Sequence, residues 1–284
     1  MAKITHKLTF FRILRSEWIK IFSVRSTWWI LFTCIVLNIA ISVGLAASMW
    51  MAEQYMNESP PQGGGQEPMV LLSEIVAMGC GFVGQLVFMI LSILIITNEY
   101  STGAIVSTLT AAPRRIRVLM TKMIVIVILC ILVFAICVAA SWGISYLILQ
   151  GSSLVDLTLI SDTSLRILLG FIAEMVLIAL FCFGLGSIIR STAGSIGTAV
   201  GVILILPLIM SLVSNMLSGT GEVTGWRQWI INATEFLPTN AGSLVTQANP
   251  ASTLLTPWQG IGVLGIWAFV AILVGLITTA RRNV

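Results

Sequence analysis

The chain has 284 residues, of which 57% are hydrophobic and only 9% charged, and its mean hydropathy is +1.02. These values lie outside the range of soluble globular domains, which excludes a soluble enzyme or binding module and points to a polytopic membrane protein. The net charge of +4 follows from basic residues placed beside apolar runs, so it reads as a topology signal and no nucleic-acid partner is expected.

Residues 1–27 carry Phe11, Leu14, Trp18 and Ile21 along one helical stripe, opposite Arg12, Ser16, Lys20 and Ser23. That pattern predicts an amphipathic helix lying in the membrane interface. Trp28 and Trp29 follow at an aromatic-belt position. The apolar run 28–51 is long enough to cross a bilayer, since about 20 helical residues cover a hydrocarbon core of about 30 Å. Its long flank, with no small-residue cleavage site after it, marks a retained span rather than a signal peptide. Further runs at 75–97, 123–149, 167–189, 194–217 and 260–280 make six spans, with both termini on one side. The expected fold class is therefore an all-α polytopic membrane protein with six transmembrane helices. It divides into an interfacial helix over 1–27 and a single transmembrane domain over 28–284.

The loops add detail. Segment 52–74 holds Pro60-Pro61, Gly63-Gly64-Gly65 and the acids Glu53, Glu58, Glu67 and Glu74, a composition that predicts a mobile acidic loop. Segment 98–122, between spans two and three, is polar and basic. Ile105, Val106 and Leu109 give it an apolar side and Ser101, Thr102, Ser107, Thr108 and Thr110 a polar one. Pro113 then opens a new helix, which Arg114, Arg115 and Arg117 follow into the third span. The segment predicts a helix lying crosswise at the surface and fixed at both ends, so that a push on it moves two spans. In the fifth span, Gly197 and Gly201 are spaced for close helix approach, and Pro207 predicts a kink. Within 218–259, Trp226, Trp229, Ile230, Ala233 and Phe236 recur at helical spacing until Pro238 stops the pattern, predicting short interfacial or re-entrant helices.

Of the 15 Lys and Arg residues only Arg166 and Arg227 lie on the side away from the amino terminus. Basic residues resist translocation, so both termini are expected in the cytoplasm. Cys34, Cys80, Cys130, Cys137 and Cys182 all fall inside the runs, where a thiol acts as a small hydrophobe, and no disulfide framework or metal site is expected. Catalysis in a membrane calls for paired acids, a histidine, a metal cluster or an activated nucleophile. Here the single histidine, His6, lies in the leader, and Glu174 is a lone mid-span acid. Glu174 stands about 10 Å from the outer end of its run at 1.5 Å per residue. A charge there costs about 2.5–3.5 kcal/mol on insertion scales, so Glu174 must face the bundle interior, a water-filled cavity or a partner. With Asn38 and Gln85, near the middle of their own runs, it makes a candidate substrate path suited to a hydrophobic or amphipathic cargo; the alternative is a residue that only packs. None of Lys3, Lys7, Lys20 and Lys122 follows a glycine, so the chain has no Gly-Lys-Ser/Thr turn to cradle phosphate. No cofactor is expected in this chain, and if ATP drives it, another chain hydrolyses the ATP.

After the second run come Glu99, Tyr100, Gly103, Thr108, Leu109, Pro113, Arg114, Arg117 and Lys122, in that order. In this the chain resembles the permease subunits of bacterial ATP-binding-cassette exporters, the ABC type 2 permease family. Glu17-Trp18-Ile19-Lys20 with Val24-Arg25-Ser26-Thr27-Trp28-Trp29 is similar to that family's interfacial elbow. Leu237-Pro238-Thr239-Asn240-Ala241-Gly242 is similar to its outer segment before the last span, and Arg281-Arg282 to its tail. Ala104, where Thr is common, and Asn283, where an acid is common, depart from the pattern. The resemblance implies a dimer of six-span permeases, identical or related, in a bacterial plasma membrane, with two cytoplasmic ATPase subunits that bind ATP and Mg. It implies that Glu17, Lys20, Glu99, Gly103, Thr108, Leu109, Pro113, Arg114, Arg115 and Arg117 meet the ATPase, with 98–122 as the coupling segment. The implied function is export of a drug, a peptide or a lipid-like substrate, with no ATPase site in this chain. Two other readings are a secondary transporter that uses Glu174 as a proton or cation site, and a membrane-embedded enzyme, for which paired catalytic residues are lacking.

Overall fold

The computed structural model describes residues 10–58, 70–101, 115–218, 225–250 and 254–281. Six of its helices are long and apolar enough to cross a membrane. In chain order the elements are α1 (Phe10–Ser23), α2 (Arg25–Glu58), β1 (Val70–Leu71), α3 (Leu72–Ser101), α4 (Arg115–Ile148), β2 (Val155–Asp156) and α5 (Asp162–Ile189). There follow α6 (Thr192–Val200), a π turn (Gly201–Ile205), α7 (Leu206–Ser218), α8 (Trp226–Glu235), α9 (Pro238–Ser243), a 3-10 turn (Leu244–Thr246) and α10 (Pro257–Arg281). The six long helices are α2, α3, α4, α5, the α6–π–α7 rod and α10.

Local chemistry explains several boundaries. A backbone bond from the Thr27 N–H to the Val24 carbonyl (3.1 Å) turns the chain between α1 and α2. The Ser161 hydroxyl accepts from the Ser164 N–H (3.0 Å) to cap α5, which lies at an N-cap position typical of Ser. At its other end Arg190 takes a left-handed conformation (φ 61°) and returns its N–H to Gly186, after which Ser191 caps α6. The irregularity expected at Pro207 is a π turn just ahead of it, in which the Leu206 N–H reaches back to Gly201.

The loop expected from residue 52 onward begins later. With no glycine or proline to stop it, α2 runs on to Glu58, and Glu53 is buried, accepting from the Ser153 N–H (2.6 Å) and hydroxyl (2.7 Å). Val70 and Leu71 pair in parallel with Val155 and Asp156. Both ends of the supposed mobile loop are thus anchored, and its middle, 59–69, lies outside the described residues. The same holds for 102–114, which contains most of the crosswise helix expected between spans two and three.

Lipid offers no hydrophobic drive for helices to associate, so close packing and hydrogen bonds must hold the bundle. Helices α3 and α5 form its centre, with α10 against α5 and α2 against α3. Phe88, Phe134 and Phe171 pack across α3, α4 and α5, the first pair tilted and the second edge to face, with ring centroids 5.0 and 5.4 Å apart. Gly79 lies so near Ser42 that a Cβ there would overlap its backbone. The fourth span is the most buried of the six and the fifth the least. Gly197 and Gly201 in that fifth span have nothing within 4 Å of where a Cβ would stand, so the close approach they predict has no partner helix within the described residues.

Candidate functional site

Two constructions, at opposite ends of the bundle, carry the polar residues of interest. The first joins α1 to α4. Leu14, Trp18 and Ile21 are partly buried along the stripe that the sequence predicts, but the most buried of the described side chains on that face is Glu17. Its Oε2 meets the Lys122 Nζ at 2.6 Å, and the two side chains are only 4% and 3% exposed. Its Oε1 meets the Lys20 Nζ at 2.8 Å, with Lys20 half exposed. Burial alone would raise the Glu17 carboxyl, but the charge and hydrogen bond of Lys122, helped by Lys20, outweigh it and hold the group below its ordinary 4.5. Glu17, expected at an ATPase surface, is therefore turned inward and committed to this chain, whereas Lys20 keeps an exposed side chain. A glutamate on an apolar stripe and a lysine near the start of an apolar helix were each visible in the sequence. Their pairing across 105 positions was not.

Of the other expected interface residues, Glu99 lies in the last turn of α3, and Arg115 and Arg117 in the first turn of α4. Gly103, Thr108, Leu109, Pro113 and Arg114 lie outside the described residues.

The second construction is a cavity of about 760 Å³ at the far end of the bundle. Helix α2 contributes Ile41 and Leu45, α3 contributes Glu74, Phe82 and Gln85, α5 contributes Phe171, Glu174 and Met175, and the α9 region contributes Thr239, Ser243 and Gln247. Gln85 and Glu174 are 8% and 4% exposed. Among the described residues the Gln85 Nε2 has no hydrogen-bond partner, and no hydrogen bond or ion pair reaches Glu174. Gly242 makes room for that carboxyl, since a Cβ there would come within 3.1 Å of its Oε1. Because α5 starts at Asp162, Glu174 is about 18 Å along its helix at 1.5 Å per residue, deeper than the sequence reading puts it.

Asn38, the third residue of the expected path, does not line this cavity. It is wholly buried, donates to the Cys34 carbonyl (2.7 Å) and accepts from the Gly84 N–H (3.2 Å). Its amide ties α2 to α3 at a point where Gly84 also admits the Phe134 ring. It is thus a packing residue, as a polar side chain that finds backbone partners within lipid tends to be.

The α9 region that closes the cavity is held by four hydrogen bonds that the sequence reading missed. Glu74 accepts from the Ala248 N–H. Arg166 donates to the carbonyls of Gln247 (2.7 Å) and Ala248 (3.2 Å). Thr239 donates its hydroxyl proton to the Ile203 carbonyl (2.8 Å). Pro207 has no N–H to offer the carbonyl four residues before it, which is that of Ile203. The threonine fills the vacancy and ties the α6–π–α7 rod to α9. Pro238, expected to end a helix, also begins the next, standing in its first turn. Thr239→Val is expected to lower stability by about 1–2 kcal/mol, because it strands a buried carbonyl. Thr239→Ser should keep most of it, and thermal melts of the purified chain distinguish the two.

The five cysteines are free and buried. No protein-family model matches the chain, and no curated protein matches it.

Proposed function

We propose that this chain is the membrane-spanning permease subunit of an ATP-driven exporter of the ABC type 2 kind, moving a hydrophobic or amphipathic substrate. The observation that carries the reading is the ordered series Glu99, Tyr100, Gly103, Thr108, Leu109, Pro113, Arg114, Arg117 and Lys122 between the second and third long helices. In this reading both termini are cytoplasmic in a bacterial plasma membrane, α1 is the interfacial elbow, and 98–122 is the coupling segment. Helices α8 and α9 then lie at the outer leaflet. A separate ATPase binds ATP and Mg, and a second permease copy, identical or related, completes the complex.

The Glu17–Lys122 pair supports the mechanical part. A load applied to the segment that opens α4 reaches α1 through a short buried ion pair, so elbow and third span move together as one rigid body while the ATPase closes.

Affinity purification of the chain from its native membrane tests the proposal. The expected result is an equimolar cytosolic ATPase, lost when Arg114→Glu and Arg115→Glu are combined. A chain that comes away clean would sink the reading and put secondary transport first, with Glu174 as its coupling site.

A further inference from the structure

We propose that the cavity between α2, α3, α5 and the α9 region binds an amphipathic organic cation, a single cationic head on an apolar body. The sign of the charge follows from the wall. Among the described residues Glu74 and Glu174 are its acids, and no Lys or Arg lines it. Glu74 already holds the Ala248 N–H, whereas Glu174, 4% exposed, has no hydrogen bond or ion pair among the described residues. A buried ionisable group without a partner is costly. Among the described residues the wall supplies no cation to relieve it, so a cationic ligand can stabilise the carboxylate that a proton would otherwise neutralise. Gln85 reaches the same space from a different helix, and its amide oxygen can accept from a head group beside the carboxylate.

The rest of the ligand follows from size and composition. About 760 Å³ is in the range that encloses a drug-sized molecule, and most of the wall is apolar, Phe82, Phe171 and Met175 among it. A bare Ca²⁺ or Mg²⁺ takes six or more oxygen ligands, and among the described residues no group of three or more His, Cys, Asp or Glu side chains stands ready to hold a metal ion. That the ligand is also the exported cargo rests on the permease reading; that it binds here does not.

The test uses the full-length chain in nanodiscs of zwitterionic lipid, with empty nanodiscs as the background. Equilibrium binding of labelled tetraphenylphosphonium is measured beside tetraphenylborate, an anion of the same shape. Saturable binding of the cation alone is expected, weakened about tenfold or more by Glu174→Gln. Gly81→Leu keeps both acids but fills the space beside Phe171, whose ring lies 3.8 Å from a Cβ at that position, and should block binding; it carries the test if Glu174→Gln does not fold. Equal binding of both ions, no saturable binding of the cation, or an affinity that Glu174→Gln leaves unchanged overturns the site. No ATPase takes part in this assay, so a chain that purifies without an ATPase yet binds the cation would retire the permease reading and leave this one standing.

Discussion

Replacing Lys122 by methionine is expected to destabilise the chain by about 3–5 kcal/mol, the usual cost of leaving one member of a buried ion pair without the other. The stranded group is Glu17, at 4% exposure. Lys20 would remain beside it, but with its side chain 48% exposed it is screened by water and replaces little of the loss. Glu17→Gln should be destabilising for the mirror-image reason, since it leaves the Lys122 ammonium buried. The double variant Glu17→Leu with Lys122→Met is expected to recover most of the stability, because both desolvation penalties vanish together. Thermal melts of wild type, Glu17→Leu, Lys122→Met and the double variant close the cycle and give the coupling free energy. A single Lys122→Met variant that melts like wild type would show that the pair bears no load.

The same pair gives a pH signature whose sign is set by the lowered carboxyl of Glu17. In the folded chain it loses its charge only below its ordinary value of 4.5. Its contribution is therefore complete above that value, and it is lost as the pH falls through the folded one. Between those two values wild type should lose stability on acidification more steeply than Glu17→Gln.

The second large effect is expected at Gly79. Its backbone approaches that of Ser42 so closely that a side chain can be accommodated only if α2 and α3 separate. Overpacking of this kind costs about 1–3 kcal/mol where side chains can yield, and Gly79→Val belongs at the upper end because the atoms in its way are main chain. The Asn38–Gly84 bond and the packing of Phe134 lie one to two turns along the same seam, so separation there would loosen them as well. Gly143→Ala is the control. It sits in α4 with nothing within 4 Å of a new Cβ, and it should be neutral or stabilising by up to about 1 kcal/mol. The two variants are compared by thermal melting and by the fraction that elutes as a single species in detergent. Equal behaviour would mean that α2 and α3 are not packed backbone to backbone.

Much of the architecture was legible because its causes are local. A run of about 20 apolar residues crosses a bilayer whatever lies beside it, and the six runs correspond to α2, α3, α4, α5, the α6–π–α7 rod and α10. Pro207 and Pro238 announced a distortion and a helix boundary because a missing N–H and a fixed φ act on the nearest turn. The stripe of Leu14, Trp18 and Ile21 was readable from its period alone.

What the sequence could not separate were polar residues of equal standing. Asn38 and Gln85 both sit mid-span, yet one amide meets Cys34 and Gly84 while the other opens into a cavity beside Glu174. Glu53 and Glu74 looked like parts of one acidic loop, but each caps a different distant backbone, at Ser153 and at Ala248. Sequence by itself determined the number of spans, the breaks within them and the scarcity of charge, because hydropathy and backbone chemistry are properties of short stretches. Only the tertiary structure decided which acid is paired and which has no partner among the described residues, because Glu17 and Lys122 are neighbours solely through the packing of α1 on α4, and burial strengthens both the attraction within a pair and the penalty on a group left without one.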